Sequence, residues 1–429
     1  MVTVIFILTL TGIIWRSRRL GIGWIALGGT LGVLIAGIIN LEDIGEAWET
    51  IGNPMLILVS LILIYLIFNE AGFFFQVARL IIGWGDGFGR WLLLILVLLA
   101  AVVTAPLTNY GSILIWTPIV IETLRLLGFQ PKTTLVYVLA TGFMADVASL
   151  IFPFSNVVNG ITIDYFGISF IRYVLVMMPV DFTMLLTSIG ILWFYFDRYI
   201  PINYDQRKIP LVNLVRDPLI CRWSFAILGW VVIGNLFREI SGLFAILAAL
   251  MTIFLAGRWF SPDKSIIPLN KLLRRVPWQI VIFSIGMYFV AIALGKTYLI
   301  SLLSQIFTQL SGWGITLASM GTGFLAMLLS GLSHNLPTMV NNILAMQNTV
   351  IADPAIEEAM VYANLIGCNI GAKITPIGSL STLLWFDILQ RQGLSFSWSQ
   401  YFRIHIVLIV PLLFIGLLFL AIWLPWLIA

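Results

Sequence analysis

Two eleven-residue stretches, Asp146–Asn156 (DVASLIFPFSN) and Asn369–Ser379 (NIGAKITPIGS), decide how this 429-residue chain folds. Each sets a proline and small polar residues inside a long apolar run, where a membrane helix has to be interrupted. The two stretches align at an offset of 223 residues, and one recurring offset indicates an internal duplication. The residue pairs that share this offset are Pro54 and Pro277, Tyr65 and Tyr288, Gly72 and Gly295, Asp146 and Asn369, and Pro153 and Pro376.

The rest of the chain has the composition of a membrane protein. Hydrophobic residues make up 60% and charged residues 10% of it, and the mean hydropathy is +1.05, whereas a soluble domain carries about 25% charged residues. Helices are predicted rather than barrel strands, because the apolar runs are continuous and long enough to span a bilayer. The apolar residues 1–15 are predicted to be the first span and not a signal peptide.

Several classes of function are disfavoured by the same composition. Cys221 and Cys368 are too few for a disulfide framework and too far apart for a metal motif. The longest polar stretch, about 197–218, is too short for a soluble catalytic or nucleotide-binding domain, and the two histidines are too far apart for a nucleophile–base pair. No metal or other cofactor is predicted. ATP-driven work would need another subunit, and the net charge of +4 is attributed to loops rather than to nucleic-acid binding.

Both halves are predicted to contain the same order of elements. The first half, 1–196, is expected to have spans at 2–15, 22–39, 54–70 and 170–196, an amphipathic stretch at 73–89, a paired run at 91–127 and an interrupted helix at 133–165. A linker at 197–218 follows. The second half, 219–429, is expected to have spans at 219–238, 241–260, 277–294 and 404–428, a paired run at 315–350 and an interrupted helix at 356–391. Close helix packing is expected at Gly28, Gly32 and Gly37.

The distribution of charge favours about ten transmembrane helices. If each paired run is a re-entrant hairpin, each half crosses the membrane five times and the two halves are inverted repeats. This arrangement puts 19 of the 23 lysines and arginines on one side and three on the other, with Lys373 inside the membrane. The positive-inside rule then makes the basic side cytoplasmic, so both termini are predicted to lie outside a bacterial inner membrane. A twelve-span arrangement would put the basic 258–275 loop opposite Arg16 to Arg19.

Four breaks in the apolar runs mark where a substrate is expected to bind. Irregular backbone at membrane depth is tolerated where it lines a cavity, and such breaks form the binding sites of many transporters. Two breaks are hairpin tips, at 108–111 and 333–338, which are predicted to meet near the midplane. The predicted substrate-binding residues are Thr108, Asn109, Ser155, Asn156, Asn159, Asn335, Thr338, Thr375 and Ser379, and the predicted tip and break residues are Gly111, Pro153, Pro337, Pro376 and Gly378.

The side chains at these breaks are mostly neutral amides and hydroxyls. Such groups both donate and accept hydrogen bonds, which suits a small uncharged solute with several hydroxyl groups. An anion would call for Arg or Lys clusters, and a free metal cation for carboxylates. As(OH)3 and Sb(OH)3, which are neutral at physiological pH, fit this lining. The alternative interpretation is that these side chains only satisfy backbone groups freed by the prolines.

Asp146, Lys373 and His334 are the residues predicted to handle protons. A charge inside the membrane is costly, so each one is a functional candidate. The repeat puts Asp146 and Lys373 on equivalent elements and predicts an ion pair across the site, with Asp146 as the first choice for the proton carrier. The alternatives are a permanent structural salt bridge and, for His334, a neutral ring that donates to a hairpin carbonyl. His405 is expected at the interface, and Asp181 either packs between helices or relays protons.

Four stretches of the sequence are the most distinctive for comparison with known families. They are ANLIGCNIGAKITPIGSLSTLLW at 363–385, PWQIVIFSIGMY at 277–288, FSNVVN at 154–159 and TPIVI at 117–121. At these residues, and over essentially the whole chain, the sequence resembles the ArsB arsenite permeases of the ion-transporter superfamily. The resemblance implies export of arsenite and antimonite in exchange for protons, with no enzymatic activity in the chain itself. It also implies an optional soluble ArsA-type ATPase as a partner. Membrane lipid and a second copy of the chain are the other expected partners.

Two departures from the family pattern each remove a carboxylate. ArsB permeases usually read Ala-Asn-Asp-Gly at the first tip, where this chain has Tyr110 in place of the aspartate. They usually read Gly-Cys-Asp-Leu-Gly-Pro-Lys in the second half, where this chain has Asn369. His334 replaces a residue that is commonly Asn. Two alternatives therefore stay open: an uncoupled facilitator or channel for neutral metalloid hydroxides, and a Na+-coupled anion or Na+/H+ carrier of the same superfamily.

Overall fold

The structure is a computed structural model that describes residues 1–15, 21–205, 214–258 and 267–428. Within these ranges the regular structure is helical, apart from one isolated bridge between Phe88 and Asn203. The predicted fold class, an all-α polytopic membrane protein, is confirmed. Six of the basic residues used in the charge argument lie outside the described residues: Arg16, Arg18, Arg19, Arg207, Lys208 and Lys264.

The helices follow the order that the sequence predicts. In the first half they are α1 (Val2–Trp15), α2 (Ile22–Ile35), α3 (Leu41–Ala71), α4 (Phe73–Ile81), α5 (Gly89–Thr104), α6 (Asn109–Leu126), α7 (Pro131–Val147), α8 (Val157–Phe166) and α9 (Phe170–Phe196). In the second half they are α10 (Pro218–Leu236), α11 (Ser241–Gly257), α12 (Leu269–Leu273), α13 (Trp278–Gly295), α14 (Leu299–Ser311), α15 (Gly314–Ser333), α16 (Asn335–Gln347), α17 (Pro354–Gly371), α18 (Leu380–Arg391) and α19 (Trp398–Ile428).

The third span is longer than the sequence predicts. α3 begins at Leu41 rather than at residue 54, so an acidic segment expected in a loop is helical. The early start follows from a capping box, in which the Asn40 side chain accepts from the Asp43 N–H and the Asp43 carboxylate accepts from the Asn40 N–H. This extension carries Glu49 to the edge of the candidate site described below.

Many of the described helices are long and apolar enough to cross a membrane. Eight helical segments meet both criteria. α1 and α2 have 14 residues each, which is about 21 Å of helix against a hydrocarbon thickness of about 30 Å. α15, predicted to be one arm of a hairpin, is itself 20 residues long. The ten-span count and the two re-entrant hairpins therefore stay predictions.

Apolar side chains cover the outside of the helical bundle. Phe182 and Phe194 on α9 are 61% and 90% exposed, and Leu247 and Leu250 on α11 are 44% and 55% exposed. Soluble proteins rarely expose apolar surface of this kind, because water makes it unfavourable. Lipid acyl chains are the surroundings that match it, as expected of a multi-pass membrane protein.

Equivalent helices of the two halves make equivalent contacts with the opposite half. α2 packs on α13 and α11 packs on α3, which is the same pairing with the halves reversed. α6 packs on α18 and α16 on α8 in the same way, and α9 packs against its equivalent α19. Two copies that share one core form reciprocal contacts like these. The bounds of the repeats and their inverted orientation in the membrane stay predictions.

Close packing of α2 uses a different glycine from the predicted ones. A Cβ added at Gly28 or Gly37 would meet no atom within 4 Å, and one at Gly32 would make only an ordinary contact. At Gly29 it would lie 2.4 Å from Thr9 Oγ1. The prediction was wrong for Gly28 and Gly37, because glycine content along a helix does not reveal which face meets a neighbour.

Candidate substrate and ion-pair site

The helix breaks have matching backbone geometry in the two halves. Phe152 (φ −123°, ψ 150°) and Thr375 (φ −119°, ψ 151°) are both extended. Asn156 (φ −147°, ψ 139°) and Ser379 (φ −146°, ψ 141°) are extended as well, each just before a new helix begins. Both pairs are separated by 223 residues, the offset found in the sequence. The breaks are therefore equivalent in backbone conformation as well as in sequence.

Each hairpin tip turns on a non-glycine residue with a positive φ. Thr108 precedes α6 with φ 33°, and His334 precedes α16 with φ 89°. This region is strained for such residues, and they stay in it where the surroundings hold them, as is common at ligand sites. Thr108 Oγ1 accepts the Gly111 N–H at 3.2 Å, and the Asn335 N–H donates to the Gly378 carbonyl at 2.9 Å. The second tip is thus held against the break of its own half.

Three asparagines connect the break of the first half to α17 in the second. Asn156 Nδ2 donates to Asn369 Oδ1 at 2.5 Å, and Asn369 Nδ2 donates to Asn159 Oδ1 at 2.8 Å. Asn159 Nδ2 donates in turn to the carbonyls of Ser149 and Phe152. An ionised aspartate at position 369 could not donate to Asn159 Oδ1. The amide at 369 therefore fits the network that this chain has built around it.

Lys373 and Asp146 form a buried ion pair. Lys373 Nζ is 2.5 Å from Asp146 Oδ1, and the two residues are 2% and 8% exposed. Lys373 also donates to Ser379 Oγ at 3.0 Å and to Ser381 Oγ. Ser381 Oγ contacts Asp146 Oδ1 at 3.4 Å, and Asn109 Nδ2 lies 3.5 Å from Ser381 Oγ. The pair thus connects the first tip, α7 and the second break.

A cavity of about 1100 Å³, called here the large cavity, leads to the first break. Its buried lining includes Thr108, Pro153 and Asn156, which belong to the first tip and the first break, together with apolar residues such as Pro54 and Ile57. Its outer lining is charged and contains a bidentate ion pair between Arg238 and Asp164, with contacts of 2.9 and 2.5 Å. The inner end of the cavity therefore offers hydroxyl and amide groups rather than formal charges.

A second, smaller cavity of about 20 Å³, called here the tip pocket, lies between the tips and the second break. Asn156, Asn335, Ser379 and His334 all line it, so it brings together predicted residues from both halves. Asn156 lines both cavities. His334 Nε2 is buried and has no hydrogen-bond partner among the described residues. Its imidazole thus has a free polar atom beside the pocket.

Four predicted substrate-binding residues instead use their polar atoms on the surrounding protein. Asn159 makes the amide contacts described above, and Ser155 Oγ donates to the Ala105 carbonyl at 2.5 Å. Thr338 Oγ1 donates to the His334 carbonyl, and Thr375 Oγ1 donates to the Gly331 carbonyl. None of the four lines the large cavity or the tip pocket, and neither does Asn109. These contacts are of the kind that the alternative interpretation expects, in which the side chains satisfy backbone groups near the breaks and tips.

The predicted prolines and glycines lie either within the breaks or in the first turn of the helix that follows a tip. Pro337 is in the first turn of α16, and Pro376 lies between the 3-10 turn after α17 and the start of α18. A Cβ added at Gly378 would lie 2.2 Å from the Ala372 carbonyl oxygen. The second break therefore needs glycine at this position, because the chain passes too close to itself for any side chain.

Three residues near the site were not among the predicted ones. Ser381 contacts both members of the ion pair, and Asn369 is the centre of the amide network. His405 was expected at the interface, yet it is 4% exposed and lies inside the bundle. The alignment of Asn369 with Asp146 was a signal that could have identified Asn369. No local pattern identifies Ser381 or His405.

Clusters of metal ligands are absent from the described part of the chain. No three His, Cys, Asp or Glu residues there are grouped so that they could hold a metal ion. Cys368 Sγ contacts Asn364 Oδ1 at 3.6 Å, and Cys221 Sγ contacts the Ala71 carbonyl at 3.6 Å. The two thiols therefore lie in separate places within the bundle.

A family model described as arsenical pump membrane protein, ArsB, matches residues 1–424. The chain belongs to this family. The arsenical pump membrane protein of Escherichia coli strain K12 is 40% identical over 423 residues, which are 97% of each chain. That of Yersinia enterocolitica is 40% identical over 419 residues, again 97% of each chain. A putative arsenical pump membrane protein of Bacillus subtilis strain 168 is 26% identical over 444 residues, covering 98% of this chain and 99% of that protein.

Proposed function

We propose that this ArsB-family chain exports arsenite and antimonite, as neutral trihydroxides, across the bacterial inner membrane in exchange for protons. The observation that carries the proposal is the large cavity, whose inner end reaches the first tip and the first break with neutral polar residues. A trihydroxide has three O–H donors and three oxygen acceptors, and Thr108 and Asn156 offer both kinds of partner. A neutral solute pays no cost of burying a charge when it enters such a site.

The proposed transport cycle is alternating access between two inverted repeats. The charged lining of the large cavity comes from Glu49, Asp164, Arg238 and Glu239, all on the side that the sequence predicts to face outward. We therefore interpret the described conformation as outward-facing. The tip pocket, too small at about 20 Å³ for the trihydroxide, is then the part of the site that enlarges when the cytoplasmic side opens.

Proton coupling is proposed to work through Asp146 and Lys373. A proton on the Asp146 carboxyl removes its negative charge and leaves Lys373 held by Ser379 and Ser381 alone. Ser379 lines the tip pocket, so a shift of Lys373 changes the hydrogen-bond partners available to the substrate. This gives the proton and the substrate a shared residue, which an exchanger requires.

The test is uptake of arsenite into everted membrane vesicles with and without an imposed acid-inside gradient. Wild type is compared with Asp146→Asn and with Asp387→Asn, which removes a carboxylate of an ion pair on α18 away from the site. Accumulation that needs the gradient in wild type and in Asp387→Asn, and is lost in Asp146→Asn, is the expected result. Antimonite competes for the same uptake.

The second candidate function is an uncoupled facilitator, and Tyr110 and Asn369 in place of family carboxylates favour it. It predicts equilibration of arsenite without accumulation in the same vesicles. A Na+-coupled carrier predicts that replacing potassium by sodium changes the rate. Absence of any arsenite movement would overturn the transport proposal itself.

An ArsA-type ATPase and a second copy of the chain are the proposed optional partners. Co-expression of an ArsA-type ATPase with this chain, followed by ATP addition to everted vesicles in the presence of a protonophore, tests the first. Mass measurement of the purified protein in detergent tests the second.

A further inference from the structure

A third cavity borders Asp146, whereas the tip pocket borders Ser379, a partner of Lys373. This third cavity has a volume of about 10 Å³ and is called here the Asp146 pocket. Its walls include five polar side chains: Asp146, Thr382, Trp385, Tyr401 and His405. All five are less than a tenth exposed, so these groups converge on one small space inside the bundle.

The pocket has the size and the chemistry to hold one water molecule. A space of about 10–15 Å³ is the smallest that takes a water, which also needs two to four polar partners. Trp385 Nε1 is buried and has no hydrogen-bond partner among the described residues. The Tyr401 hydroxyl lies 3.5 Å from the Thr382 hydroxyl. An indole N–H without a partner is unfavourable in a dry interior, and a water bonded to it satisfies it.

The tautomer of His405 is fixed by its own backbone contact. His405 Nδ1 lies 3.0 Å from the Tyr401 carbonyl, and a carbonyl only accepts hydrogen bonds. Nδ1 therefore carries the hydrogen and Nε2 carries the free lone pair. The ring also stacks on Tyr401 with centroids 3.6 Å apart, which keeps its plane fixed. In an imidazole held in this way, Nε2 is the atom that can accept a proton.

Shared lining residues and side-chain contacts connect the three cavities. The large cavity and the tip pocket share Asn156, the tip pocket reaches Lys373 through Ser379, and Lys373 contacts Asp146. Asp146 then lines the pocket that His405 also lines. His405 is two turns from the start of α19, at the end that the sequence predicts to be cytoplasmic.

We propose that His405 and the Asp146 pocket form the cytoplasmic half of the proton path. This inference rests on the proton exchange proposed above and names the residue through which the proton leaves. The proton on the Asp146 carboxyl passes to the pocket water, and that water gives one of its protons to His405 Nε2. His405 then releases a proton toward the cytoplasm, which returns both groups to their starting state without net change in the pocket.

Other titratable groups lie on the elements that pack against α19, but they do not line the Asp146 pocket. The elements packed against α19 contribute Lys373 on the 372–374 turn, Tyr173 and Asp181 on α9, and Tyr362 and Cys368 on α17. Lys373 is already paired with Asp146, and none of these groups lines the Asp146 pocket. His405 is the group on that pocket whose unperturbed pKa lies nearest neutral pH.

The deciding variant is His405→Gln, in the full chain in everted vesicles. Glutamine keeps a donor for the Tyr401 carbonyl and an acceptor for the pocket, but it does not take up a proton. Two rates are measured: gradient-driven arsenite accumulation, and exchange of labelled for unlabelled arsenite without a gradient. Exchange needs the substrate site and the conformational change but no net proton movement. Arg403→Gln, an exposed change in the first turns of α19, is the matched control.

The expected result is a loss of roughly tenfold or more in accumulation with exchange within about twofold of wild type. Trp385→Phe, which removes the unpartnered N–H and keeps most of the ring, is expected to slow accumulation in the same selective way. Dependence of the accumulation rate on cytoplasmic-side pH is expected to flatten in His405→Gln.

Three outcomes overturn the proposal. Accumulation unchanged in His405→Gln means that the proton leaves by another path. Equal loss of accumulation and exchange in a variant that melts like wild type means that His405 serves the substrate site or the conformational change. Absence of gradient-driven accumulation in wild type refutes the proton exchange itself, and the inference with it, and is recognised because it does not depend on the variant.

Discussion

Asp146 and Lys373 stabilise each other only as a pair. Each would be a costly buried charge alone, because its surroundings are shielded from water and supply few other charged groups. The four hydrogen-bond contacts among Lys373, Asp146, Ser379 and Ser381 offset part of that cost. The effect of either residue on the free energy of unfolding therefore depends on whether its partner is present.

This dependence predicts the outcome of a double-mutant cycle. Asp146→Asn and Lys373→Met are each expected to destabilise the protein by about 3–5 kcal/mol, because each leaves one charge buried without a partner. The double variant is expected to be more stable than either single variant. The measurement is thermal unfolding of the purified protein in detergent. Additive losses in the double variant would mean that the two charges do not depend on each other.

Asp181 presents the opposite case, a buried carboxyl without a partner. It is fully buried on α9, and neither of its carboxyl oxygens has a hydrogen-bond partner among the described residues. Replacing such a group by an apolar side chain of similar size removes a desolvated polar group. Asp181→Leu is therefore expected to raise the melting temperature and leave arsenite transport unchanged. A large loss of transport would instead assign Asp181 to a proton relay.

At the scale of elements, the breaks depend on a helix pair in close contact. α15 packs along α17, and the pair is closest where α17 carries Gly367 and Gly371. A Cβ at Gly367 would lie 2.2 Å from the Gly323 carbonyl oxygen, and one at Gly371 would lie 2.3 Å from Met327 Cα. Because these neighbours are backbone atoms, they cannot move aside as a flexible side chain would. The contact fixes the end of α17, from which Lys373 extends.

A matched pair of glycine substitutions tests this contact. Gly371→Ala is expected to destabilise the protein by about 1–3 kcal/mol or more and to lower arsenite transport, because α15 and α17 have to separate. Gly190→Ala on α9 adds the same methyl group where no atom lies within 4 Å, and it is expected to be neutral or slightly stabilising. Thermal unfolding and vesicle transport measure both. Similar behaviour of the two variants would contradict the packing argument.

At the scale of the whole molecule, the ion pairs sort by predicted side of the membrane. The three basic residues predicted to face outward, Arg172, Arg238 and Lys296, pair with Glu358, Asp164 and Asp43. Each of these pairs joins one half of the chain to the other, and both partners are on the predicted outer side. Pairs predicted to be cytoplasmic include Arg275 with Glu70 and Arg90 with Asp197. Both partners of each pair thus lie on the same predicted side of the membrane, as the predicted topology requires.

Single-cysteine labelling tests the orientation directly. Val350→Cys is expected to react with a membrane-impermeant maleimide in intact spheroplasts, because residue 350 is 89% exposed on the predicted outer side. Lys132→Cys is exposed on the predicted cytoplasmic side and is expected to react only in everted vesicles. The native Cys221 and Cys368 are buried, so their background is low. Reaction of both variants from the same side would refute the predicted topology.

The sequence by itself determined the class of fold, the order of the elements and the positions of the breaks. These features are local: an apolar run of sufficient length has to satisfy its backbone as a helix, and a proline with small polar neighbours interrupts it. The 223-residue offset likewise needed only the order of residues, and Asn156 and Ser379 share a backbone conformation as a result. The start of α3 was missed because a capping box at Asn40 outweighed the acidic composition of the segment.

Only the tertiary structure decided which polar groups face a cavity and which face the protein. Asn156 and Asn159 are three residues apart and chemically identical. Asn156 lines two cavities, whereas Asn159 lines neither and donates hydrogen bonds to the backbone of the break. His405 is separated by more than 250 residues from Asp146 in sequence, and helix packing alone brings both to one pocket. The physical reason is that burial and hydrogen-bond partners depend on contacts between distant segments, which no pattern along the chain records.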